Sequence, residues 1–108
     1  NMGAWDICFF REPEFLDRLA DLGLGFALDV GHAHVNGNLD SFLERGGAIH
    51  VHLHDNFGSR DDHMACGEGN IEFCRVMQAI PQNATKVVEP VSFRQYESSL
   101  NYLRSVFP

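Results

Sequence analysis

Residues 50–56 read HVHLHDN. His50, His52 and His54 alternate with Val51 and Leu53, and Asp55 and Asn56 follow. Alternation with a period of two marks a strand with one apolar face. Val51 and Leu53 suit a face packed against helices, which leaves the three histidines on the other. Imidazole exchanges protons and binds metals near neutral pH. The stretch predicts a strand whose polar face meets solvent or looks into a cavity where imidazole has chemistry to perform.

Working outward, the apolar periodicity predicts three strands and four helices. The strands are residues 24–30 (LGFALDV), 48–55 (AIHVHLHD) and 86–91 (KVVEPV). EPEFLDRLADLG carries Phe15, Leu16, Leu19 and Leu22 on one stripe, and LDSFLERGG turns Leu39, Phe42 and Leu43 inward. NIEFCRVMQAIP is a third helix, with Asn70 as its N-cap and Ile71, Cys74, Met77 and Ile80 near one face. Ser92 and Gln95 stand at capping-box spacing before a fourth, whose stripe is Phe93, Tyr96, Leu100, Leu103 and Phe107. Helix and strand alternate throughout, the pattern of parallel βα units. Between Asp55 and Asn70 runs the polar, glycine-rich NFGSRDDHMACGEG, and a loop of such length inside a domain usually carries function. Gly67 and Gly69 are expected in a tight turn within it.

The 108 residues suffice for one small domain or a piece of one. A net charge of −7, with eight scattered basic residues, argues against a free-standing nucleic-acid binder. Cys8, Cys66 and Cys74 are odd in number and form no C-x-x-C pair. They read as reduced thiols of a cytoplasmic protein, with Cys66 and Cys74 in packing roles. No apolar run approaches the ~18 residues that span a bilayer, so no membrane partner is expected. The start NMGAWD lacks a signal-peptide pattern and begins with Asn, as in a trimmed chain or part of a longer frame.

Each strand carries a metal-capable residue near its C-terminal end: Asp29, His52 and Glu89. Alternation directs all three away from the helices, and in parallel α/β folds that end of the sheet is where sites are built. DVGH places His32 three residues after Asp29, and DDH places Asp61 and His63 in the long loop. Mixed carboxylate and imidazole donors suit zinc, manganese, iron or cobalt better than all-oxygen cages. His50 lies deeper on the same face and reads as a packed or hydrogen-bonded residue. His54 and Asp55, at the strand exit, read as supporting or loop-anchoring residues rather than ligands.

LDVGH, HLHDN, DDHMACGEG and VVEP, in that order and spacing, resemble the C-terminal half of the xylose isomerase-like TIM-barrel superfamily. That group includes sugar isomerases and epimerases and the endonuclease IV type of apurinic-site nuclease. The resemblance covers essentially the whole chain and implies an α/β fold, a partial (β/α)8 barrel, with residues 1–108 as a C-terminal fragment. It implies that Asp29, His52 and Glu89 bind the common divalent metal: manganese or zinc, with cobalt or magnesium as further options. It implies that His32, Asp61 and His63 are the additional ligands of multi-zinc members. Glu89 would also transfer a proton. Trp5 is expected either to cover a sugar face or to pack in the core, and His54 to border the substrate.

The function so implied is a metal-dependent sugar isomerase or epimerase moving a proton next to a carbonyl. An apurinic/apyrimidinic endonuclease is the alternative, and only under that reading is nucleic acid a partner. A barrel of this kind has eight strands and about 250 residues. In the superfamily the fifth strand commonly ends in Glu-Asn, so the bridging glutamate is expected one residue before Asn1. The chain alone is therefore expected to be an inactive half-barrel that pairs with its missing N-terminal half or a second copy.

Overall fold

The structure, a computed structural model, describes residues 1–3 and 10–108; Trp5 and Cys8 lie outside the described residues. The described chain runs α1 (Phe15–Asp21), β1 (Phe26–Asp29), α2 (Val30–Val35), α3 (Leu39–Arg45), β2 (Ala48–Leu53), α4 (Phe73–Ala79), β3 (Thr85–Val88) and α5 (Phe93–Val106). The three strands form one parallel sheet in the order β1-β2-β3. Parallel neighbours cannot be joined by a tight hairpin, and α2 with α3, then α4, provide the crossovers. This is the α/β architecture of a partial TIM barrel.

Among the described residues five helices appear where four were expected. The additional one, α2, begins directly at the end of β1, with Asp29 as its N-cap accepting the His32 backbone N–H at 2.9 Å. Its sequence, VGHAHV, contains glycine and two β-branched residues, all weak helix formers. Tertiary burial overrides that preference, since Val30, Gly31 and Ala33 are all buried.

The apolar side chains of the sheet meet those of the helices in one core. Leu28, Val51 and Leu53 pack with Val30 and Ala33 of α2, Phe42 of α3, Phe73 and Val76 of α4, and Leu103 of α5. Each large side chain so buried contributes about 1.5–3 kcal/mol. In α4 the buried face is Phe73 and Val76, with Ile71 and Ile80 at its ends. Cys74 is exposed and so does not pack, and the N-cap is Glu72 rather than Asn70. Buried among apolar neighbours, the Cys66 thiol is pushed up to about 12. Ser92 caps α5 as expected, its Oγ accepting the Gln95 N–H at 3.3 Å. The expected α5 stripe is only partly buried: Leu103 is covered, whereas Phe93 is 74% exposed and Tyr96 and Phe107 are also exposed. α1 buries no residue, and its Leu22 is exposed.

The loop after β2 is organised by one buried carboxylate. Asp55 accepts the backbone N–H groups of Asn56, Gly67 and Gly69 at 2.9 Å and of Ile71 at 3.2 Å. Its own backbone pairs with Met64, N–H to O in both directions at 2.9 Å. Gly67 has φ +93°, as a turn glycine should, but Gly69 is required for a different reason. A Cβ there would stand 2.4 Å from Asp55 Oδ1 and from the Asn56 carbonyl oxygen. Asp55→Ala removes the common acceptor of four amides, and each one left buried and unpaired costs about 1–3 kcal/mol. Urea unfolding should show a loss of about 3 kcal/mol or more. An unchanged midpoint would show that the loop is held by other contacts.

Candidate metal centre

Neighbours in a parallel sheet point to the same side, and the register sets Asp29 of β1 beside His52 of β2. Glu89 follows β3 directly, its N–H bonded to the Leu53 carbonyl at 3.0 Å, which carries the ladder one residue further. Asp29, His52 and Glu89 thus converge at the C-terminal edge of the sheet. His52 Nδ1 lies 3.1 Å from Glu89 Oε1 and 3.7 Å from Asp29 Oδ2. Donors around a tetrahedral ion with bonds near 2.1 Å stand about 3.4 Å apart, so these separations suit a shared cation.

A second set lies across Asp29. His32, Asp61 and His63 come together as expected, and the buried His54 joins them; one donor atom from each lies within 4.8 Å of the others. Asp61 is the hub: Oδ2 lies 3.0 Å from His32 Nε2 and 3.4 Å from His63 Nε2, and Oδ1 lies 3.7 Å from His54 Nδ1. His63 is held with φ +48°, an uncommon conformation for a residue with a side chain, and its Nδ1 donates to the Glu89 carbonyl at 3.0 Å.

His54 is where the structure adds most to the reading of the residues. It is 0% exposed, stacks on His63 with ring centroids 3.8 Å apart, and donates from Nε2 to Asp29 Oδ1 at 3.0 Å. The chain makes room for it at Gly31, where a Cβ would stand 2.0 Å from His54 Cε1. Strand alternation did place His54 on the His52 face. What the sequence hid was α2, whose Gly31 lies directly against the ring. His50 turns instead to Thr85, Nδ1 to Oγ1. Asn1 docks on the free edge of β1, its Oδ1 accepting the Asp29 N–H at 2.7 Å and its Nδ2 donating to the Asp29 carbonyl at 3.1 Å. A cleft lined by His34, Asn70 and Arg75 opens between α2, α3 and α4, on another part of the surface.

The set of Asp29, His52 and Glu89 and the set of His32, Asp61 and His63 both fit a divalent cation; His54, its ring parallel to that of His63 at 3.8 Å, shares no in-plane position with it. Both sets mix carboxylate and imidazole, and two buried nitrogens, His32 Nδ1 and His54 Nδ1, have no hydrogen-bond partner among the described residues. His32 Nδ1 approaches Asp29 Oδ2 to 3.2 Å without the alignment a hydrogen bond needs. Charges at the site are strongly linked. Burial alone would raise the Asp29 carboxyl, but the hydrogen bonds from His54 and from the His32 backbone outweigh it and hold it below its ordinary 3.8. Burial alone would lower His54, but its bond to Asp29 and the charges of Asp29, Asp61 and Glu89 raise it above its ordinary 6.5.

Linkage gives the direction of the pH dependence. The lowered Asp29 stabilises the fold above pH 3.8, and that contribution is lost as pH falls through its folded value. The raised His54 stabilises the fold below pH 6.5, and that contribution is lost as pH rises through its folded value. In chelator, where no metal competes with protons at the site, urea midpoints should be highest between these limits and fall on the alkaline side. His54→Gln should flatten that alkaline fall; a midpoint rising from pH 6.5 to 9 would reverse the assigned sign.

No family model matches the chain. It is 37% identical over 93 residues to an uncharacterised protein of Methanocaldococcus jannaschii, spanning 82% of this chain and 36% of that protein. A second protein of that organism is 39% identical over 74 residues, covering 64% of this chain and 25% of its own length. One from Sinorhizobium fredii is 38% identical over 74 residues, with 65% and 23% covered. The chain thus spans about a third or less of these curated relatives. Among solved structures it superposes on a D-tagatose 3-epimerase-like protein with a TM-score of 0.84 and 32% identity, over 98% of this chain and 44% of that one. In motif order and in fold, the chain resembles part of a xylose isomerase-like TIM barrel.

Proposed function

We propose that the chain is the C-terminal part of a divalent-metal-dependent sugar isomerase or epimerase that moves a proton next to a carbonyl. The observation that carries this reading is the convergence of Asp29, His52 and Glu89 at the C-terminal ends of three parallel strands. That is the end of a barrel on which active sites are built. The likeness to a D-tagatose 3-epimerase-like protein supports it.

The ion, manganese or zinc by donor type and cobalt or magnesium within the same reading, would supply Lewis acidity toward the substrate's oxygens. Glu89 is the proton-transferring carboxylate. It is partly exposed, and His52 lies 3.1 Å from Oε1, which fixes one carboxylate oxygen and leaves the other for the substrate. Reversible transfer at a carbon needs a second acid/base on the opposite face, and this reading assigns it to the N-terminal part of the barrel. Trp5 and His54 are assigned to the substrate side, His54 acting from behind the loop because it is fully buried. The second reading, an endonuclease IV-like nuclease with several zinc ions, is favoured by one observation: the second donor set around Asp61. The net charge of −7 favours a small sugar over DNA, because nucleic-acid sites gather positive charge.

The inner face of the sheet carries exposed Ala27 and Val87. Among the described residues, β1 and β3 each pair with β2 alone. Open edges and apolar faces invite pairing, so the chain by itself is assigned as an inactive half-barrel that pairs with an N-terminal half or a second copy. Light scattering should report a mass above 12.1 kDa; a stable monomer would contradict this part.

The activity is tested in a complete barrel containing this chain. With manganese and a ketohexose in deuterated water, deuterium should enter the carbon beside the carbonyl. Glu89→Gln should slow that exchange by roughly 100-fold or more. Exchange unaffected by the substitution would sink the assignment of Glu89, and zinc-dependent cleavage of abasic DNA without sugar exchange would replace this reading with the second.

A further inference from the structure

We propose that Asn1 is a positioning residue of the first cation set: its carboxamide takes the place of strand backbone and pins the main chain of Asp29. The inference rests on the metal-dependent reading and adds to it a residue that lies outside both donor sets.

The pairing geometry carries the argument. In a parallel ladder, a residue whose N–H donates to one residue of the neighbouring strand accepts, through its own carbonyl, the N–H two residues further along that strand. Asn1 makes the first of these bonds with its backbone nitrogen, which donates to the Ala27 carbonyl at 2.8 Å. Its side chain makes the second: Oδ1 accepts the Asp29 N–H at 2.7 Å. A continuing ladder would next bring the N–H of residue 3 to the Asp29 carbonyl. Nδ2 of Asn1 donates there instead, at 3.1 Å. One carboxamide therefore substitutes for a carbonyl and an amide of a continuing strand, and the main chain is free to leave the sheet. The Met2 N–H donates to the Phe10 carbonyl at 2.8 Å, and the Met2 carbonyl accepts Asn36 Nδ2 at 2.9 Å.

Only a side chain with both an acceptor and a donor at this reach can make the pair of contacts. An aspartate would keep the acceptor and lose the donor, and a glutamine is one methylene longer. What Asn1 pins is the junction on which the site turns. Asp29 ends β1, caps α2, and carries the carboxylate that lies 3.7 Å from His52. β2 pairs with Asp29 along one edge, and Asn1 holds the other. Backbone held from both edges presents its carboxylate to an ion from one fixed place, as the outer partners of metal ligands do.

The test uses a complete barrel containing this chain, with 113Cd2+ as the ion. In the unsubstituted protein, coupling should be seen across the hydrogen bond from the Asp29 amide nitrogen to Asn1 Cγ. Asn1→Asp is isosteric and adds a negative charge, which by itself would attract a cation. Loss of the donor should nevertheless weaken cadmium at Asp29, His52 and Glu89 by roughly 10-fold. It should also move the resonance of the bound cadmium, which reports donor geometry. Asn1→Ala should do the same without the added charge. A general loss of stability would lower the urea midpoint of the cadmium-free protein and leave that resonance in place. Unchanged affinity with an unmoved resonance in Asn1→Asp, or no coupling between Asp29 and Asn1, would overturn this inference while leaving the metal-dependent reading intact. No cadmium at Asp29, His52 and Glu89 in the unsubstituted protein would overturn both. The coupling is read without any substitution and is independent of how the variants fold.

Discussion

The hydrogen bond between the carboxylate of Asp29 and the buried imidazole of His54 is the contact on which the rest of the site depends. Asp29 ends β1, caps α2 through the His32 N–H, and turns its second oxygen toward His52. One side chain thereby fixes a strand end, a helix start and the position of an imidazole. A carboxylate this deeply buried is tolerated because it is hydrogen-bonded and surrounded by imidazoles that can carry the opposite charge. Low polarity around the pair also strengthens the bond. The same burial makes removal of either partner costly, since the one left behind would be an unmatched buried group.

Around that contact the fold divides its work. Val51 and Leu53 point into the helix layer and supply packing, while His52 and His54 point the other way and supply donors. The long loop then returns to the same place. Asp55 gathers the backbone of Gly67, Gly69 and Ile71, and Asp61 and His63 are delivered to His32 and His54. Only Ala65 and Cys66 of this loop are buried apolar residues, and a buried carboxylate accepting several amides holds the polar remainder. Gly31 and Gly69 mark points around the site where a side chain or backbone passes too closely for a Cβ.

Much of this was legible in the sequence, and the reasons differ by residue. Strand alternation is a short-range pattern, so the direction of Asp29, His52 and Glu89 follows from the order of neighbouring residues alone. The capping of α5 by Ser92 is equally local. Helix α2 could not be read that way, because VGHAHV has poor helix propensity and is kept helical by burial of Val30 and Ala33. Missing α2 meant missing the burial of His54, since Gly31 of that helix lies against the ring. The exposed Phe93 and Tyr96 reflect the same limit: a periodic stripe shows which face of a helix is apolar, but neighbouring elements decide whether it is covered. Cys74 failed for a related reason, as the packed face of α4 runs through Phe73 and Val76 instead.

The central claim is that Asp29 stands between two cation sites at one end of a parallel sheet. Anomalous diffraction at the zinc edge, from crystals of the chain grown with zinc, addresses it most directly. The account predicts one anomalous peak among Asp29, His52 and Glu89 and a second among His32, Asp61 and His63, with the Asp29–His54 bond preserved between them. Zinc found only on surface side chains, with both donor sets closed on themselves through hydrogen bonds, would contradict it.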